Sequence, residues 1–479
     1  MKKIDKTTYH KRTTIKSLIK DTIFFRPYHI LILQCMLLSG CTDFVEVDPP
    51  QNILIAETVF EDSATVESAM ANLYFNMREQ GMVSGNFGLT PTLGIYTDEL
   101  DYYGFNVDLA QFYNHNIIAT NNRVELWWNQ AYNLIYGANA IIEGEESSKA
   151  LSNSERNRFK GEALFIRSYM HSQLVGLFGD VPYIQTTDYQ ENNRVSRLPE
   201  SAVYDHIIMD LEEAVGLLEG QEPVTSNKVI PDAYTAKALL ARMHLYVGDW
   251  AQAVSYATDL IQNFQLETDL DRVFLKASSE TIWQLQADDQ FPINTSEGGT
   301  LTIELVPGQT YALTEQLLSS FEENDLRYEE WTEPISDTDN TITFYYPHKY
   351  KADYNETESL EYSILFRVAE QYLIRAEARA RLGDLIGAAN DLNRIRERAG
   401  LAATQANTQT ELLEAILKER QLELFTEQGH RWFDLKRTGN AGTLLGAIKP
   451  NWNETNLVLP IPESQLELNP NLLPQNAGY

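Results

Sequence analysis

The chain has 479 residues, 43% of them hydrophobic, and carries 38 Lys and Arg against 68 Asp and Glu, a formal net charge of −30 with only two cysteines. So acidic a polymer repels a phosphate backbone at long range, which argues against nucleic acid as a partner and against electrostatic attachment to anionic lipid. Two cysteines exclude a disulfide framework and a cysteine metal cluster, so stability must come from an ordinary hydrophobic core.

Residues 1–29 carry eight basic residues against Asp5 and Asp21, and run into the apolar stretch Ile30 to Leu38. That stretch is about half the ~18 residues that a membrane-spanning helix needs. It reads as the core of a secretory signal, with residues 1–40 removed on export. Leu38-Ser-Gly-Cys41 follows directly. Small residues before a cysteine let a signal peptidase reach the bond, and only cysteine offers a sulfur for diacylglycerol, so Cys41 is the predicted lipidation site. One acyl chain holds a protein weakly at ~0.8 kcal/mol per buried CH₂, and two or more hold it stably. Cys35 leaves with the signal. The mature chain then keeps 30 Lys and Arg against 66 Asp and Glu, which favours a soluble body on a lipid tether.

Residues 41–60 are polar, contain Pro49-Pro50, and predict an extended tether. From Glu61 the pattern turns helical, with Val66, Ala69, Met70, Leu73, Tyr74 and Met77 recurring at three and four. Glycine-rich residues 81–94 predict a loop, and helices are expected at about 123–142 and 154–178, the second stopped by Gly179-Asp-Val-Pro182. Trp127 and Trp128 fall on the first of these helices and read as core. Ala236 to Ile261 superimposes on Gln371 to Arg396 at an offset of 135 residues, with Ala241, Gly248, Asp249 and Ala253 matching Ala376, Gly383, Asp384 and Ala388. Small residues on either side of a turn glycine let two antiparallel helices approach closely, and the glycine takes the positive φ that ends the first. This is the tetratricopeptide pattern. The fold class is therefore mainly α, a helical repeat scaffold over about 154–261 and 365–439. Between the repeats, at about 271–354, lies a loop-rich insertion with short strands expected at 279–286 and 341–346 and a loop at 294–299.

Three blocks of sequence resemble one family. Cys41-Thr-Asp-Phe-Val-Glu-Val-Asp-Pro-Pro50 with Thr58-Val-Phe60 is similar to the opening of the SusD/RagB outer-membrane lipoproteins. Lys418 to Gly439, containing Glu427-Gln-Gly-His-Arg-Trp-Phe-Asp434, resembles their most recognisable helix and turn. Leu459-Pro-Ile-Pro462, Asn469-Pro-Asn-Leu472 and Gln475 to Tyr479 resemble their closing segment. The resemblance brackets residues 41–479. It implies a surface-exposed outer-membrane lipoprotein that binds oligosaccharides and passes them to a SusC-type TonB-dependent transporter, with peptide capture of the RagB kind as the alternative. The C-terminal block is rich in charge, and Glu419, Arg420 and Glu423 fall at helical spacings that suit structural buttressing rather than catalysis.

No enzyme motif is present: HExxH, a Walker loop, GxGxxG after a strand and GxSxG are all missing. Not an enzyme is the expectation. Aromatic residues are the better lead, because sugars offer flat C–H faces for stacking and rims of hydroxyls for amides and carboxylates. Asp98-Glu-Leu-Asp-Tyr-Tyr-Gly-Phe-Asn106 has that mixture, and the resemblance implies that the loop after the first long helix contributes to ligand binding. The predicted ligand residues are Asp101, Tyr102, Tyr103, Phe105 and Asn106, with Phe291 and Trp331 from the insertion. The competing reading is that Tyr102, Tyr103 and Phe105 pack beneath their own loop. No cofactor is expected, and the acidic loop leaves a structural calcium ion open.

Overall fold

The computed structural model describes residues 59–287, 293–352 and 355–479. The signal segment, Cys41, most of the tether and Phe291 lie outside the described residues. Val59 and Phe60 are buried, so the globule already includes the end of the range predicted as tether.

Helix α1 (Ser63–Glu79) buries Val66, Met70, Leu73 and Met77, the stripe read from the sequence. The glycine-rich stretch departs from expectation. Its second half is helix α2 (Leu89–Tyr96), in which every residue is buried. A helix buried all round has no polar face and hence no 3.6-residue alternation to reveal it. Pro91 sits in the first turn, where no backbone N–H is needed. Strand β1 (Leu100–Tyr102) and helix α3 (Val107–Tyr113) follow, and then the two longest helices, α4 (Asn122–Ser147) and α5 (Asn153–Phe178). A capping box of Ser152 with Glu155 starts α5 and Gly179 ends it at φ 73°.

Helix α6 (Glu200–Leu218) leads to the first repeat hairpin, α7 (Ala233–Val247) and α8 (Trp250–Asn263). Gly248 takes φ 81° at the turn, and Asp249 caps α8 by accepting from Gln252 N. Strand β2 (Thr281–Leu285) opens the insertion; α9 (Ser296–Leu301), expected as loop, β3 (Tyr311–Leu313), α10 (Leu326–Trp331) and the hairpin β4 (Thr332–Ser336) with β5 (Thr343–Pro347) complete it. Strand β6 (Ser363–Arg367) runs into the second repeat hairpin, α11 (Val368–Leu382) and α12 (Leu385–Arg398), where Gly383 takes φ 86° and Asp384 caps. Helices α13 (Gln409–Leu424) and α14 (His430–Arg437) carry the charged block.

Each strand pairs with one partner, all antiparallel: β1 with β3, β2 with β6, β4 with β5. The first two pairs tie the insertion to distant chain. Ala241 and Ala376, the small residues of the repeat, are both fully buried among the helices. The fold is a helical, tetratricopeptide-like frame, and the insertion is held against it by two-stranded ladders.

Candidate functional site

The site loop begins with two buried acids. Asp98 receives both Nε and Nη2 of Arg431, each at 2.7 Å, so α14 grips the chain just before β1. Its neighbour Glu99 is pushed up to about 8 by burial and by Asp98, and accepts from Thr426 N at 3.2 Å. From this anchor β1 pairs Leu100 with Leu313, Asp101 with Ala312 and Tyr102 with Tyr311. The loop then turns back at Gly104, where a Cβ would lie 2.6 Å from the Tyr102 hydroxyl oxygen. Asn106 N donates to that hydroxyl at 2.8 Å, and Asn106 Oδ1 accepts from Leu109 N at 3.0 Å to cap α3.

Between this loop, residues 86–87, Arg123 and residues 299–311 opens a cleft of about 1040 Å³. Phe105 is fully exposed at its rim (101%), with Phe87 (46%) and Tyr103 (42%) beside it. Tyr103 packs steeply inclined to Phe344 with ring centroids 5.2 Å apart and remains partly exposed. Arg123, buried by the protein, sits 4.7 Å over the Phe87 ring and donates from Nη1 to Asn86 O at 3.1 Å. Trp127 Nε1 fixes the same segment by donating to Phe87 O at 2.7 Å. Tyr311 is only 3% exposed, and its hydroxyl has no hydrogen-bond partner among the described residues. Burial pushes that phenol up to about 12, so it stays protonated and able to donate. An unpaired buried hydroxyl costs ~1–3 kcal/mol.

The predicted residues divide accordingly. Tyr102, Tyr103, Phe105 and Asn106 line the cleft. Tyr102 does so only in part, since its ring is wedged between Tyr113 and Tyr311 and its hydroxyl braces the loop. Asp101 accepts from the Tyr113 hydroxyl at 2.9 Å and is not part of the cleft wall. Trp331 requires correction: it is fully buried, donates from Nε1 to Leu270 O at 3.1 Å and packs edge-on to Phe274, so no ring face is left for a ligand. Its irregular sequence surroundings concealed a short helix, α10, whose last residue turns inward. Phe87, Arg123 and Tyr311 were not foreseen. The turn signals around them, Gly85-Asn-Phe-Gly88 and Pro307-Gly308, were the only trace in the sequence.

Among the described residues, no group of three or more His, Cys, Asp or Glu side chains is gathered to hold a metal ion. The acidic loop's Asp98 and Asp101 are taken up by Arg431 and Tyr113 instead. The cleft wall likewise contains no carboxylate, histidine or cysteine. What it offers is stacking surface, one cation and hydrogen-bonding groups.

Two family profiles tile the chain: residues 43–245 match one described as "Starch-binding associating with outer membrane", and residues 279–479 match the SusD family. The chain belongs to the SusD/RagB family. SusD-like protein P2 of Formosa agariphila is 28% identical, aligned over 95% of this chain and 100% of its own length, and SusD-like protein P25 of the same organism is 25% identical over 94% and 98%. Among solved structures, a SusD superfamily protein from Bacteroides vulgatus matches with TM-score 0.77 at 21% identity, covering 88% of this chain and 100% of its own. A protein described as a laminarin-binding SusD-like protein matches with TM-score 0.75 at 24% identity, with the same coverage. At these identities the structural likeness establishes the SusD fold. No described helix is long and apolar enough to cross a membrane.

Proposed function

We propose that this SusD/RagB protein captures oligosaccharides at the cleft between β1, β3 and the start of α4, and performs no chemistry on them. The observation that carries the reading is the composition of the wall: exposed rings of Phe87, Tyr103 and Phe105 beside Arg123 and Tyr311, with no carboxylate among the described residues. Aromatic faces stack on the C–H faces of sugars, while the guanidinium and phenol donate to ring or hydroxyl oxygens. Hydrolysis of a glycosidic bond ordinarily takes two carboxylates flanking it, and the described residues of this cleft supply none. A laminarin-binding relative by fold makes β-1,3-glucan a reasonable first probe.

Delivery completes the proposal. Cys41 would carry the lipid that holds the body at the outer membrane, exposed at the cell surface, and the captured glycan would pass to a SusC-type TonB-dependent transporter. Calorimetric titration of the intact protein with laminari-, malto-, cello- and xylo-oligosaccharides should find a ligand whose affinity falls at least tenfold in Tyr103→Ala/Phe105→Ala. Unchanged affinity in that variant would remove the cleft from the proposal, and binding of peptides alone would replace glycans as the ligand class. Labelled palmitate retained on a Cys41→Ala variant would sink the anchor, and failure of the transporter to co-purify from mild detergent would sink the handover.

A further inference from the structure

Farther along α4 there is a second cavity, of about 410 Å³, formed by α4, residues 182–195 and the C-terminal residues 465–472. Its lining residues on α4 run from Trp128 to Tyr136, which at 1.5 Å per residue lie ~8 to ~20 Å along the helix from Arg123 of the cleft. None of its lining residues carries a charge, in a chain where 22% of residues do. Amides and aromatic rings take their place. Tyr136 (42% exposed) and Tyr189 (68%) present rings at the mouth, and Asn133, Asn192, Asn193 and Gln465 supply carboxamides.

The wall is braced before any ligand arrives. Trp128, buried in the floor, meets Phe178 edge-on at 5.1 Å, and the Tyr132 hydroxyl donates to Pro182 O at 2.9 Å. The Asn192 carboxamide donates to Thr186 O at 2.8 Å, Gln465 donates to Asn129 Oδ1 at 3.0 Å, and Asn469 joins the C-terminal segment to Val195 O at 2.9 Å. Rings and amides fixed in this way lose little freedom on binding, which favours affinity from a small contact area. A charged ligand would find no counter-ion here and would lose hydration without compensation. A neutral polyhydroxylated chain suits both halves of the lining: C–H faces against Tyr136 and Tyr189, hydroxyls against groups that each donate and accept.

We propose that this cavity is a second binding site for neutral oligosaccharide, separate from the cleft. It goes beyond the capture role and can hold or fail on its own. The test uses the intact protein in three forms: a cleft variant, Tyr103→Ala/Phe105→Ala; a cavity variant, Tyr136→Ala/Tyr189→Ala; and the two combined. Each is titrated calorimetrically with laminari-, malto-, cello-, xylo- and manno-hexaose and with oligogalacturonate. All four substituted rings are at least partly exposed, so thermal melting should match wild type and exclude unfolding. At least one neutral hexaose should still bind the cleft variant, and adding the cavity substitutions should lower that affinity at least tenfold. The proposal is overturned if the cleft variant binds no hexaose at millimolar concentration, if the cavity substitutions change its residual affinity less than twofold, or if only the charged oligogalacturonate responds to them.

Discussion

Tyr311 joins two properties that are ordinarily separate. Its hydroxyl is buried without a partner, a cost to the empty protein, and its side chain belongs to the wall of the cleft, where a small shift on binding would let the hydroxyl donate to the ligand. Tyr311→Phe should therefore leave stability unchanged or raise it by about 1 kcal/mol, while weakening glycan binding ~3- to 10-fold, the worth of one hydrogen bond. Denaturant melts and calorimetry on the same preparation would read both, and a loss of stability with affinity intact would contradict the assignment. Glu99 gives a pH test. Its folded carboxyl is raised to about 8 by burial and by Asp98, so the native state holds a proton that the unfolded chain gives up near the ordinary glutamate value. That stability is full at low pH and is lost as pH rises toward 8. The buried histidines His115, His171 and His430, lowered by burial to about 4, 3 and 4, also titrate in the unfolded chain near the ordinary histidine value, but they do so equally in wild type and Glu99→Gln and cancel between the two. Between pH 6.5 and 8 wild type should lose about 2 kcal/mol that Glu99→Gln does not lose, at ~1.4 kcal/mol per pH unit. Parallel pH profiles of the two proteins would disprove it.

Helix packing sets a second kind of constraint, visible where α1 and α4 meet. A Cβ on Gly137 would lie 2.5 Å from Leu73, and one on Gly144 would lie 1.9 Å from the Phe60 ring. Glycine weakens a helix by ~1 kcal/mol relative to alanine, yet here the missing methyl is what lets the neighbouring side chains close in. Overpacking costs ~1–3 kcal/mol, so it should win over propensity, and Gly144→Ala should lower the denaturant midpoint. Gly216 in α6 is the control: nothing lies within 4 Å of its Cβ position and it is exposed, so Gly216→Ala should raise stability by ~0.5–1 kcal/mol. Equal effects of the same sign at both positions would refute this reading of the seam. The repeat turns follow the opposite logic, since Gly248 and Gly383 are required for φ rather than for space. That is why they stand out in the sequence, whereas Gly137 and Gly144, seven residues apart on a helix, do not.

Across the whole molecule, the charged C-terminal block proves to be a clamp. Glu423 on α13 accepts from Arg367 at the end of β6 and from Arg398 at the end of α12, and pairs with Arg327 of α10 at 3.3 Å. Burial alone would raise its carboxyl, but the three guanidiniums outweigh it and hold it well below the usual carboxylate range. One side chain thus binds the insertion to both parts of the second repeat. Glu423→Gln should cost ~3–5 kcal/mol, because it leaves buried guanidiniums short of a counter-charge. A change below about 1 kcal/mol in a reversible thermal melt would show that the pairs are dispensable. Sequence spacing suggested Arg420 with Glu423, but Arg420 reaches across to Asp434 at 2.7 Å, an inter-helix lock instead of a local pair.

Local chemistry, by itself, determined the helical repeat, its Gly-Asp turns, the start and stop of α1 and α5, and the mixture of rings and amides in residues 98–106. Each depends on residues within a few turns of one another, so its physics is written in consecutive positions. Tertiary structure decided the rest. It carried Phe87, Arg123 and Tyr311 to one cleft from segments up to 224 residues apart, turned Trp331 into the core, and buried Leu89–Tyr96 on every side. The ladder of β1 with β3 is what brings the cleft together, and its register is set by long-range pairing that no local pattern encodes.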